Sequence, residues 1–165
     1  MLVAMCLPVS AAENSQGWEH TITFSGNGMN PVLYFGEKAD ASDGLDQYDV
    51  PMPPCPPNPY LYAFLFCGLP VPYNKLMYDI KYYPDTDKLW NIAIKSSDIC
   101  TVKVSWEKIK DTEYKSVLLR DMETGNIIDM TKKTSYEFEI GTGYYYFQIF
   151  CSNTLLHSSR QKVKL

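Results

Sequence analysis

Apolar and polar side chains alternate along most of this chain with a period of two, the spacing of a β-strand covered on one face. "WEHTITF" sets Trp18, His20, Ile22 and Phe24 against Glu19, Thr21 and Thr23. After the turn signal "GNGMNP", "VLYFGE" predicts a short second strand. "YLYAFLFC" is apolar on both faces, so it predicts a central strand covered on each side. "KLMYDIKYY" groups Leu76, Tyr78 and Ile80, and "KLWNIAIKS" groups Trp90, Ile92 and Ile94. "CTVKVSW" turns Cys100, Val102, Val104 and Trp106 inward. "KSVLLRD" and "NIIDM" flank "METG", a hairpin turn with Gly125 where positive φ is needed. "SYEFEIG" places Tyr136, Phe138 and Ile140 inward, and "GYYYFQIFC" closes the series. The one helix candidate, "SWEKIKDTEYKSV", suits a strand end and loop better. Roughly nine short antiparallel strands predict an all-β sandwich of immunoglobulin or fibronectin-like kind.

Length and charge narrow this further. A chain of 165 residues can bury a full core as one domain. A formal net charge of −4, with no basic stripe, argues against nucleic-acid binding. The start "MLVAMCLPVSAAEN" reads as the remnant of a secretory signal over residues 1–12, the alternative being an apolar N-terminal strand. The sandwich then spans 13–165, exported and without a membrane-spanning run. Four cysteines remain after the signal: Cys55, Cys67, Cys100 and Cys151. An exported chain favours two disulfides, of which Cys55–Cys67 and Cys100–Cys151 are preferred among three connectivities. Free thiols are the alternative, and the spacings fit no zinc pattern.

Residues 38–59 show no periodicity. Six of the chain's eleven prolines lie at 51–59, so 50–59 should form an extended, polyproline-like strap with few amides to offer a ladder. Before it stand Asp40, Asp43, Asp46 and Asp49, oxygen donors of the kind calcium takes, although without EF-hand spacing. Asx-turns use the same residues.

Catalytic signals are weak. His20 falls on the apolar face of a strand, and His157 sits beside Ser158 near the end of the chain with no orienting acid in sequence. No G-x-S-x-G, H-E-x-x-H or phosphate-cradling loop occurs, so no catalytic residue is assigned. Aromatics do recur on shared faces: Tyr60, Tyr62, Phe64 and Phe66 in one strand, Tyr144, Tyr146 and Phe150 in another. Such a face is either sheet packing or a platform for a ligand, a glycan included.

Several segments together suggest a family. "FGEKADASDGLDQYDVPMPPCPPNPYLYAFLF" resembles a recurrent module of exported bacterial and archaeal surface proteins, with a Phe-Gly strand end, an Asp-rich turn, an Asp-x-Pro step, a proline run and an aromatic strand. "DKLWNIAIKSS", "VKVSWEKI", "VLLRDMETGNIIDM" and "SYEFEIGTGYYYFQI" follow in that module's order. Ser42, where Thr is common, and Cys55 inside the proline run depart from the pattern. The resemblance implies an immunoglobulin-like appendage similar to secretion-associated C-terminal domains, with no catalytic role. The expected function is a non-catalytic cell-surface sandwich for attachment or protein association. A self-associating subunit of an extracellular filament or layer, and a carbohydrate- or calcium-dependent binding module, are the alternatives.

Overall fold

The computed structural model describes residues 17–83, 87–109 and 112–154. Among them are eleven strands and no helix. In chain order these are β1 (Gly17–Ser25), β2 (Val32–Lys38), β3 (Val50–Pro51), β4 (Leu61–Phe66), β5 (Leu76–Tyr82), β6 (Lys88–Ser96), β7 (Cys100–Trp106), β8 (Ser116–Asp121), β9 (Ile127–Asp129), β10 (Ser135–Ile140) and β11 (Tyr144–Ser152). The signal-like residues 1–12 and the pair His157 and Ser158 lie outside the described residues.

The all-β expectation holds, but the roughly nine-stranded antiparallel sandwich does not. The strands form one continuous sheet in the order β10-β7-β1-β2-β5-β4-β6-β11-β8-β9, with β3 alongside β5, and the sheet nearly closes into a barrel. What joins the two halves is a parallel pairing of β2 with β5, from Tyr34 opposite Tyr78 to Lys38 opposite Tyr82. Side chains bridge the remaining gap between β9 and β10. The Trp106 indole donates to the Met130 carbonyl at 3.1 Å, and Tyr136 Oη donates to Asp121 Oδ2 at 2.9 Å.

Local chemistry explains the turns. In "GNGM", Asn27 and Gly28 both take positive φ (50° and 72°), and Gly26 and Met29 exchange backbone bonds of 2.9 and 3.0 Å. That is the primed turn whose twist matches a two-stranded ribbon, and only Gly and Asn adopt it cheaply. In "DMETG", Gly125 is at φ 72°, and Asp121 Oδ1 accepts the amides of Glu123 and Thr124.

The barrel interior is filled by the inward set of each strand: Ile22, Phe24, Leu33, Phe35, Leu65, Trp90, Ile92, Ile94, Leu119 and Phe147 are all essentially inaccessible. Each such side chain removed from water contributes about 1.5–3 kcal/mol before entropy is counted. The predicted grouping of Leu76 with Tyr78 and Ile80 fails at a bulge. Val50 opposes Tyr78 while Pro51 opposes Leu76, so Met77 is the extra residue. Leu76 therefore enters the core, whereas Tyr78 stacks on Tyr34 at 3.9 Å and Asp79 faces the interior side with Lys81.

Candidate functional site

The central position of β4 has a consequence outside the barrel. Its inner residues Leu61, Ala63 and Leu65 join the main core, and its outer residues Tyr62 and Phe64 form a second buried cluster with Ala93, flanked by Met52, Tyr60 and Phe66. Register then sets the outer face of β4, β6 and β11 in rows: Tyr62–Lys95–Tyr144, then Phe64–Ala93–Tyr146, then Phe66–Asn91–Gln148. Arg120 of β8 extends the third row.

Ala93 has the smallest side chain in these rows, so the sheet is low there and the aromatic side chains stand as walls. Phe64 meets Tyr144 edge-on at 6.4 Å, Phe66 meets Tyr146 at 6.1 Å, and Tyr144 and Tyr146 lie 6.1 Å apart with planes 20° from parallel. A shallow depression of about 260 Å³ results, lined by these four rings with Asn74 and Ala93. Tyr144 and Tyr146 remain 48% and 39% exposed, which marks them as the uncovered part of the face. Lysines border it: Lys75 lies 4.8 Å from the Phe64 ring centre, and Lys95 lies 5.5 and 5.6 Å from those of Tyr60 and Tyr144. Gln148 donates to Asn91 at 2.9 Å at the far end. A face of this make-up offers packing area, cation–π contacts and amide hydrogen bonds.

The structure thus brings together Tyr60, Tyr62, Tyr144 and Tyr146, the four tyrosines picked out from sequence. Reading the sequence alone missed Ala93, Lys75 and Asn74. The available signal was a small residue at the outward position of "LWNIAIK", between two strands of outward aromatics.

The four aspartates do a different job. Asp46 accepts the amides of Ser42 and Tyr48, and Asp49 accepts that of Asp46 at 2.8 Å. Asp40 accepts the Tyr48 hydroxyl, and Asp43 accepts the Tyr82 amide and holds Lys88 Nζ at 2.7 and 2.9 Å. Each carboxylate is therefore already occupied by a donor of the chain. Among the described residues, no three His, Cys, Asp or Glu side chains are grouped to hold a metal.

The loop does cap a polar end of the barrel interior. Glu37, fully buried, accepts the Trp18 indole and the Tyr114 hydroxyl, each at 2.7 Å. Burial raises its pKa, against the two hydrogen bonds and the nearby Lys88. Burial likewise pushes Asp49 up to about 6, against the Asp46 amide and with the help of Asp79. His20 packs beside the rings of Trp18 and Phe35 on the inner side of β1.

The expected disulfides are not formed; all four thiols are free. Cys100 opposes Ile140, close in sequence to the start of β11, while Cys151 lies seven residues beyond Tyr144 on that strand. Seven strand residues span roughly 23 Å, far beyond the ~7 Å between Cα atoms that a disulfide tolerates. Cys55 is exposed near Tyr62 and Lys95, at the start of β4, and Cys67 follows the other end of that strand near Asp79.

No family model, curated protein or solved structure matches this chain. Among the described residues no helix is long and apolar enough to cross a membrane.

Proposed function

We propose that the protein is a non-catalytic, exported module that attaches to a partner at the cell surface through the outer aromatic face of β4, β6 and β11. The observation that carries this reading is the exposure of Tyr144 and Tyr146 beside an alanine-floored depression, next to the buried Tyr62 and Phe64. Half-exposed tyrosines with few rotatable bonds are efficient anchors, because ordering them costs little entropy. Lys75 and Lys95 supply a polar rim of the kind association surfaces have.

Co-sedimentation with the envelope fraction of the producing cells tests it. Wild-type chain should pellet with the envelopes, and the Tyr144→Ser/Tyr146→Ser double variant, folded by circular dichroism, should be retained at least about tenfold less. Equal retention would remove this face as the attachment surface. A second reading, a glycan ligand, is favoured by the amides of Asn74, Asn91 and Gln148 beside the rings. A glycan array read with the same double variant separates it from a protein partner.

A further inference from the structure

The proline strap and the aromatic depression share one face, and the chain already joins them once. Met52 packs on the Tyr62–Phe64 cluster and its amide donates to the Lys75 carbonyl at 2.8 Å. The Tyr62 hydroxyl then donates to the Pro53 carbonyl at 2.7 Å. A tyrosine hydroxyl thus caps a strap carbonyl that a proline-rich chain cannot bond internally, while Met52 packs on the rings beside it. It consumes only the first part of the strap. Residues 53–59 are exposed, and so are Tyr144 and Tyr146.

We propose that the exposed strap of one copy docks in the Phe66–Tyr144–Tyr146 depression of a second copy, reciprocally, so that the protein forms a two-fold dimer. The inference rests on the aromatic face being the attachment surface, and it names the occupant as the chain's own strap. Prolines and the residues before them are held near polyproline II geometry, so Pro53 to Pro57 is already in a binding-competent form. Pro54 and Pro57 sit one polyproline turn apart, about 9 Å. That spacing lets their rings seat on either side of the Tyr144–Tyr146 pair, whose centres are 6.1 Å apart.

The trans site adjoins the cis one, since Phe64, Phe66 and Ala93 belong to the cluster under the strap and also line the depression. Because strap and depression adjoin on one face, two copies meeting face to face satisfy both sites at once, which closes the assembly at two. A one-way contact would instead propagate.

Sedimentation equilibrium of the full chain under reducing conditions, so that exposed Cys55 cannot cross-link copies, tests the proposal. Wild type should pass from 18.9 kDa to twice that mass with rising concentration. Tyr144→Ala/Tyr146→Ala and Pro54→Ala/Pro57→Ala should each weaken association by at least about tenfold, and their equimolar mixture, which retains one good strap and one good groove, should associate more tightly than either alone. A peptide of residues 50–59 carrying Cys55→Ser should shift the Tyr144 and Tyr146 ring signals and compete with dimerisation. A wild type still monomeric at about 1 mM, or a dimer indifferent to both double variants, overturns the proposal. If the tyrosine variant loses envelope binding while wild type stays monomeric, the attachment reading stands and only the occupant is wrong.

Discussion

The substitution Asp49→Asn should stabilise this protein at neutral pH and do nothing at pH 4. Asp49 is only 8% exposed, and its carboxylate lies near those of Asp79 and Asp46. Burial and these like charges hold its pKa at about 6, against the Asp46 amide and Lys81. In the unfolded chain the same group ionises near pH ~3.9. Between those values the folded state binds more protons than the unfolded one, so stability falls as pH rises through the window and the full penalty stands above about pH 6. A displacement of about two pH units corresponds to ~3 kcal/mol. Asp79, itself pushed up by burial, shares the titration, and solvent at the loop screens part of the repulsion, so about 1.5 kcal/mol is the better expectation.

The asparagine side chain would keep an oxygen for the Asp46 amide, now 2.8 Å from Asp49 Oδ2, and remove the charge. For a chain of this size the gain corresponds to a Tm rise of about 3–6 °C at pH 7. Urea unfolding of both proteins at half-unit steps from pH 4 to pH 8 reads it directly. A difference that does not grow between pH 4 and pH 6.5, or a variant weaker than wild type at pH 7, would refute the argument.

Asp121 is the opposite case. Its carboxylate accepts from the amides of Glu123 and Thr124 and the hydroxyls of Tyr136 and Tyr145, and these bonds hold its pKa below the usual range despite burial. Asp121→Ala should cost about 4 kcal/mol, near 1 per bond, and the stability that Asp121 confers should be lost as pH falls through its lowered pKa; a loss under about 1 kcal/mol by urea unfolding would contradict this sum. In native protein, thiol reagent should modify exposed Cys55 first and Cys67 more slowly, because partial burial raises the Cys67 pKa, whereas buried Cys151, its pKa raised by desolvation, should react only on unfolding; mass mapping of fast and slow adducts checks this. Calcium at about 1 mM should move Tm by less than ~1 °C, since the loop carboxylates already accept donors of the chain, and a larger rise would return the loop to candidacy as a cation site.

Strand positions were legible because each strand has one face in the core, and a period of two records that constraint residue by residue. The closure was not. Whether β2 meets β5 depends on where residues 39–75, with β3 and β4 among them, send the chain, and no local pattern encodes a parallel pairing at that distance. The bulge at Met77 defeated parity for a related reason: one inserted residue flips every later side chain, and its cause is the partner Val50–Pro51, a two-residue strand containing a proline. The polar interior was half visible. Glu37 shares parity with Leu33 and Phe35, and Lys88 shares it with Trp90, so an acid and a lysine stood at core positions in the sequence, without saying that Trp18 and Tyr114 would meet the acid.

The double-sided hydrophobicity of β4 gives the strongest reason to look outside the barrel for function. A barrel strand needs apolar residues on its inner face alone. Tyr62 and Phe64 on the outer face are nevertheless 5% and 6% exposed, because Met52, the strap and the neighbouring rings cover them. The strap is thus a cover laid over one part of an aromatic surface, and it stops short of Tyr144 and Tyr146. A sheet face needing no cover there would carry polar or charged residues, as Thr101, Lys103 and Ser105 do on the outer side of β7. Two tyrosines kept in the open beside a partly covered cluster are the reason the attachment surface is proposed there.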